Sequence, residues 1–234
     1  MGGSGVFATL LDLVVPGGCA ACGAAGRAVV CDRCGEVLAQ PVASRRPRPA
    51  PAGLPACVTG GDYDGALRAL ILAYKEHGRR SLATPLGRRL ATVIRAGWPV
   101  SGPLAVVPIP ATPAAIRARH GDHMLRLARQ AVRALAADGV PAVVATPLRA
   151  RPRADSAGLD REQRAAVARA TFAVRWSWPG RLSALAAVAD AGAVVLVDDV
   201  LTTGATLAAA TTVLHAVGVP VTFAATLAAT RRHG

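Results

Sequence analysis

Two adjacent aspartates at the end of an aliphatic run are the residues best placed to do chemistry. In "VVLVDDVLTTGATL", residues 194–207, Asp198 and Asp199 follow four aliphatics and precede Thr202, Thr203, Gly204, Ala205 and Thr206. Paired carboxylates suit sugar hydroxyls or a hard cation. A small, hydroxyl-rich turn that opens a helix offers free N–H groups and the positive end of the helix dipole, which suits a phosphate. A 5-phosphorylated ribose meets both demands at once. The alternative is that Asp199 and Thr202 only cap a helix, as these residue types often do. A cap alone does not require two acids, three threonines and a glycine within so short a stretch. A Walker-type nucleotide loop is excluded by the missing Gly-Lys pair, and no GxGxxG precedes a helix.

A second constellation lies near the N-terminus. Cys19 and Cys22 in "CAACG", and Cys31 and Cys34 in "CDRCG", form two CxxC pairs, and Cys57 stands apart. Each tight turn can present two thiolates to one tetrahedral ion, and four thiolates would close the shell around a structural Zn²⁺. A redox CxxC is the alternative, but two pairs so close together favour metal. A glycine follows the second cysteine of each pair and lets backbone N–H groups turn toward the sulfurs. Cys57 reads as a small core residue.

The rest of the composition sets bounds. The net charge is +13, and Lys75 is the only lysine among the basic residues. Such a balance points to an anionic partner, although three Phe, three Trp and two Tyr provide few platforms for stacking bases. No apolar run reaches the ~20 residues of a membrane span, and the N-terminus lacks the basic region of a signal peptide. These features place the chain in the cytoplasm.

Elements that must position the chemistry follow from periodicity. Residues 1–15 suggest a short apolar helix. Leu67, Leu70, Ile71 and Tyr74 share a helical face that stops at Gly78, and Leu82, Leu86, Leu90 and Ile94 mark a second helix. A third, over 123–137, runs through Leu125, Ala128, Val132 and Leu135; a fourth carries Leu207, Ala210, Leu214 and Val217. Strand patterns occur near 104–109, 141–146, 170–176 and 193–198, and "VTFAATLA" supplies a fifth. Aliphatic strands alternating with helices predict an α/β fold, a parallel sheet covered on both faces. The Pro-rich, basic stretch 40–56 reads as a linker. The polar stretch 149–169 reads as an active-site loop.

The 194–207 stretch resembles the phosphoribosyl pyrophosphate signature of type I phosphoribosyltransferases. That resemblance implies that Asp198 and Asp199 hold the ribose 2- and 3-hydroxyls, while Thr202, Thr203, Gly204, Ala205 and Thr206 hold the 5-phosphate. The order of cysteine pairs, linker, Lys75 helix, "VPIP" strand, Arg-bearing loop and terminal signature is similar to that of the ComF family, competence-associated proteins with a phosphoribosyltransferase domain. It covers nearly the whole chain. It implies a zinc-binding module at 1–39, a linker at 40–56 and a type I phosphoribosyltransferase-like domain at 57–234. The implied activity is binding of phosphoribosyl pyrophosphate with Mg²⁺ and transfer of its phosphoribosyl group to an acceptor. Catalytic roles fall to Asp198, Asp199 and Arg164, and substrate contacts also to Lys75 and Arg117. Lys75 reads equally as a plain helix-surface residue, and Arg117 and Arg119 as a solvated loop. The competing expectation is a non-catalytic factor of DNA uptake or processing, whose partners would be DNA or the competence machinery; a homodimer is open under either expectation. Two stretches depart from the family pattern. His120, Gly121, Asp122, His123 and Met124 stand where an Arg-Gly-Phe-Asn-Gln run is usual, and Ser156 and Val167 replace a Gln and an Asn around Arg164.

Overall fold

A computed structural model describes residues 18–98, 102–151, 171–175 and 179–231. The helix expected over 1–15 and the loop residues Ser156, Arg164 and Val167 lie outside them. Six strands form one sheet: β1 (Ala43–Ser44), β2 (Cys57–Thr59), β3 (Leu104–Pro108), β4 (Ala142–Val144), β7 (Ala193–Leu201) and β8 (Phe223–Ala229). Their order is β1-β2-β8-β7-β3-β4, and every pairing except β1 with β2 is parallel. The middle strands β8, β7 and β3 are aliphatic on both faces, as strands covered on both sides must be.

The helices are α1 (Asp32–Gly35), α2 (Gly65–Lys75), α3 (Ala83–Gly97), α4 (Pro113–Ala118), α5 (His123–Ala137), α6 (Pro179–Ala191) and α7 (Ala205–His215). Successive residues of β7 point to opposite faces. Val195 and Val197 meet Leu67, Leu70, Leu86, Leu90 and Leu127 from α2, α3 and α5. Val194 and Leu196 meet Leu185, Leu207 and Leu214 from α6 and α7 on the other side. Leu82, Leu86, Leu90 and Ile94 recur every fourth residue and are fully buried, so α3 lies along the sheet on the stripe its spacing defines.

Several expectations need correcting. The strand near 170–176 does not join the parallel sheet: β6 (Phe172–Val174) pairs antiparallel with β5 (Leu148–Ala150) in a separate ribbon. That ribbon packs Leu148 and Phe172 onto the α7 side of the core. Periodicity reports that a strand exists but not which partner it takes. Strands β1 and β2 are too short to show a pattern, and β1 falls inside the stretch read as linker. Helix α5 buries Met124, Leu127, Ala128, Ala131 and Leu135, while Leu125 and Val132 are only half-buried. Gly87 of α3 lets the two helices approach closely there, since a Cβ on it would collide with Gln130 Cβ of α5. Helix α7 ends at His215, which leaves Val217 exposed beyond it. Helix α6 was not legible at all, since alanines surround it on every side and define no stripe. No helix of the described residues is long and apolar enough to cross a membrane.

Candidate functional site

Strand β7 runs three residues past Asp198 because β8 continues beside it, with Asp198 opposite Thr226, Val200 opposite Ala228 and Leu201 opposite Ala229. Both aspartates therefore stand near the carboxyl end of a central parallel strand, the edge at which open α/β sheets bind ligands. Asp199 keeps the phase of Val195 and Val197 and points into the α2–α5 layer, where it is buried. Its Oδ2 lies 2.6 Å from Lys75 Nζ and 3.4 Å from His123 Nε2. Lys75 is the last residue of α2 and His123 the first of α5. The Tyr74 hydroxyl donates to the His123 carbonyl at 2.9 Å and so joins the two helix ends.

Burial alone would raise the Asp199 carboxyl, but the hydrogen bond from His123 and the Lys75 charge overcome it and hold Asp199 low. Asp198 behaves oppositely: burial and the neighbouring Asp199 charge push it up to about 7. Its Oδ1 accepts the Asp199 N–H at 2.9 Å. An aspartate raised in the folded state weakens folding as pH climbs from the ordinary carboxylate range toward neutrality, and the loss is complete above about 7. Asp198→Asn, which keeps the acceptor oxygen, should therefore melt higher than the parent at pH 8 and equally at pH 4. A gain of at least ~1 kcal/mol would raise Tm by roughly 2–4 °C. Melting curves at both pH values test this, and an equal shift at both would remove the argument.

After Leu201 the chain turns through exposed Thr202 and Thr203 into Gly204, whose φ of +77° is left-handed. A Cβ at Gly204 would also lie 2.9 Å from the Leu54 methyls, so the backbone and packing require glycine here before any ligand does. The Thr203 hydroxyl accepts from Ala205 N–H at 3.3 Å, and the Gly204 carbonyl accepts from Ala208 N–H at 2.9 Å. Thr206 and Leu207 occupy the first turn of α7, where N–H groups have no carbonyl of their own helix to meet. Exposed threonine hydroxyls, first-turn N–H groups and the dipole of an 11-residue helix form an anion-accepting end.

The structure brings Lys75 onto Asp199, and Asp198 and the turn adjoin that pair along the chain. Arg117 is exposed on α4, and among the described residues no contact joins it to the carboxylates. His123 is the neighbour of Asp199 to which the sequence assigned no role, although the helix expected over 123–137 opens on it. Asp122 caps α5 by accepting the Leu125 N–H at 3.0 Å. The His123 Nδ1 is buried and has no partner among the described residues. Such a nitrogen is completed by a water or by a hydroxyl of a ligand. His120 is exposed and left-handed at φ +52°, with its carbonyl accepting from Arg80.

The cysteine pairs also converge. The sulfurs of Cys19, Cys22, Cys31 and Cys34 lie within 4.8 Å of one another, and Cys22 and Cys31 are 3.7 Å apart. That spacing is far too long for a disulfide. It matches the ~3.8 Å edge of a tetrahedron whose metal–sulfur bonds are about 2.3 Å. Burial raises the Cys19 thiol, but backbone hydrogen bonds from Cys31, Cys22 and Ala21 outweigh it and bring it down to about 6. The cluster is thus suited to a structural metal ion. The two glycines differ: Gly23 is left-handed at φ +73°, whereas Gly35 is ordinary helical backbone in α1. Cys57 is buried away from the cluster, and burial pushes its thiol up to about 11.

No protein-family model and no curated protein matches this chain.

Proposed function

We propose that the protein binds phosphoribosyl pyrophosphate on a type I phosphoribosyltransferase-like sheet and transfers its phosphoribosyl group to an acceptor. The observation that carries the reading is the placement of Asp198 and Asp199 at the carboxyl end of β7, directly before the threonine turn that opens α7. The two carboxylates accept hydrogen bonds from the ribose hydroxyls, and the turn takes the 5-phosphate. The acceptor's lone pair bonds to ribose C1 as the bond from C1 to the diphosphate oxygen breaks; diphosphate leaves with that electron pair, and the acceptor's proton passes to a base. Positive charge develops on the sugar ring, so fixed carboxylates beside it lower the barrier electrostatically. Lys75 keeps Asp199 ionised and limits how far its carboxylate can turn.

A hard cation fits an oxygen donor set, and Asp198, whose side chain leaves β7 on the face opposite the Lys75–Asp199 pair, would hold Mg²⁺. When bound with the diphosphate, Mg²⁺ supplies positive charge at the leaving oxygens. In the cysteine cluster the proposed ion is zinc, and the proposed compartment is the cytoplasm. Calorimetry with phosphoribosyl pyrophosphate and Mg²⁺ should give saturable binding near one site per chain. Absence of binding at millimolar ligand would end the reading. A second reading, a non-catalytic DNA-processing factor, draws on the +13 charge and on the exposed Arg45, Arg46 and Arg48. It requires DNA affinity that falls steeply with salt and ignores the aspartates.

A further inference from the structure

A concave cleft of about 420 Å³ opens beside the threonine turn, lined by Arg45, Arg46, Arg48, Arg231, Asp62 and Thr202 among others. Four segments converge on it: the chain after β1, the exit of β2, the end of β7 and the end of β8. Four arginines and one carboxylate line it, and Asp64, just outside, lies 4.0 Å from Arg231. Asp62 is not a simple counter-charge, because it holds two of the arginines in place. Its Oδ2 accepts from Arg231 at 2.5 Å and its Oδ1 from Arg45 at 3.5 Å. The hydrogen bond from Arg231 overrides burial and keeps the Asp62 carboxyl below its usual range, so the clamp persists at neutral pH. Asp62 is itself anchored by a bridge to Ala229 at the end of β8. Pro47, Leu201 and Ala229 give the cleft apolar walls.

We infer that this cleft binds a small organic acid, a carboxylate- or phosphate-bearing molecule with an apolar portion. The volume falls in the range of small-molecule sites, and guanidinium forks match planar oxyanions. The cleft adjoins Thr202, so its occupant lies beside the ligand of the turn. If the phosphoribosyl reading holds, on which this step rests, that occupant is the acceptor.

Matched pairs of probes test the assignment. Nicotinate, nicotinamide, phenyl phosphate and a ten-residue oligo-dT are each titrated calorimetrically into the full chain and into Arg46→Gln, without phosphoribosyl pyrophosphate. The expected result is that nicotinate or phenyl phosphate binds at millimolar concentration or tighter. Affinity should fall about tenfold in Arg46→Gln, and nicotinamide should bind at least tenfold more weakly than the tighter of the two acids. Which of the two acids binds more tightly identifies the oxyanion. The inference is overturned if neither acid binds, if nicotinamide equals the tighter acid, or if Arg46→Gln changes nothing. Binding of oligo-dT alone, lost in the variant, also overturns it in favour of nucleic acid. Phosphoribosyl pyrophosphate with Mg²⁺ is titrated in parallel. If it binds and the acids do not, only this inference falls; if the acids bind and it does not, the cleft assignment stands and the phosphoribosyl reading falls.

Discussion

Cys31→Ser should yield protein that has lost its metal and most of its folded N-terminal segment, whereas the parent carries about one zinc per chain. Four thiolates at tetrahedral spacing bind zinc with a free energy on the order of 10 kcal/mol in small modules, and that binding energy is also folding energy. Few other forces hold residues 18–39. The described regular structure there is the single turn of α1 and a 3₁₀ turn at Glu36–Ala39. Backbone bonds from Cys19 N–H to the Ala24 carbonyl, Ala20 N–H to the Val29 carbonyl, Gly23 N–H to the Cys19 carbonyl and Gly35 N–H to the Cys31 carbonyl add to it, and Arg79 donates to the Gly18 carbonyl at 3.0 Å. Ala20, Val29, Val30 and Leu38 are only partly buried against the main core. Elemental analysis measures the metal, and proteolysis measures exposure of the segment. Full zinc content in Cys31→Ser, or none in the parent, would sink the proposed ion.

Removing the Asp199 carboxylate is the second large perturbation. Asp199→Ala leaves Lys75 Nζ and His123 Nε2 facing a void in the α2–α5 layer. Breaking one partner of a buried pair costs about 3–5 kcal/mol, and Lys75, whose side chain is 28 % exposed, can partly escape to water. A loss near 3 kcal/mol follows, or a Tm lower by roughly 6–12 °C. Asp199→Asn should fall between parent and alanine, because the amide keeps an acceptor but loses the charge. In the phosphoribosyl reading the same variant also loses about ten- to a hundredfold in ligand affinity, the worth of one charge-assisted hydrogen bond. Pairing Asp199→Ala with Lys75→Met separates the two effects. The double variant should recover part of the stability and none of the binding. A Tm unchanged in Asp199→Ala would show that the carboxylate, lysine and histidine do not form one unit.

The parts of this molecule that were legible in sequence are those whose signal is local. Leu82, Leu86, Leu90 and Ile94 announce their helix and its buried face together, because spacing along a helix is also direction in space. The aspartates and threonines of β7 and α7 were legible for a similar reason, since a strand, a turn and a helix start occupy one short run. Cysteine pairs declare their partners by composition. What stayed hidden depends on long-range assembly. Lys75 and His123 meet Asp199 from 124 and 76 positions away, and only the stacking of α2 and α5 on one face of β7 brings them there. The arginine cleft was hidden likewise, because Arg45, Asp62 and Arg231 become neighbours only when β1, β2 and β8 lie side by side. In isolation Arg45 and Arg46 read as part of a solvated linker.

Arg89 carries a consequence of its own. It sits on α3, almost completely buried, and its guanidinium donates both to the Gln40 carbonyl, at 2.6 Å, and to the Gly60 carbonyl. One side chain from the middle of the sheet layer thereby pins the two ends of the segment that contains β1 and Arg45 to Arg48. Leu54, in the same segment, packs where a side chain on Gly204 would go. Residues 40–60 are consequently poor candidates for transplantation. A grafted segment would arrive without its guanidinium anchor, and the body it left would keep a buried cation facing no carbonyl.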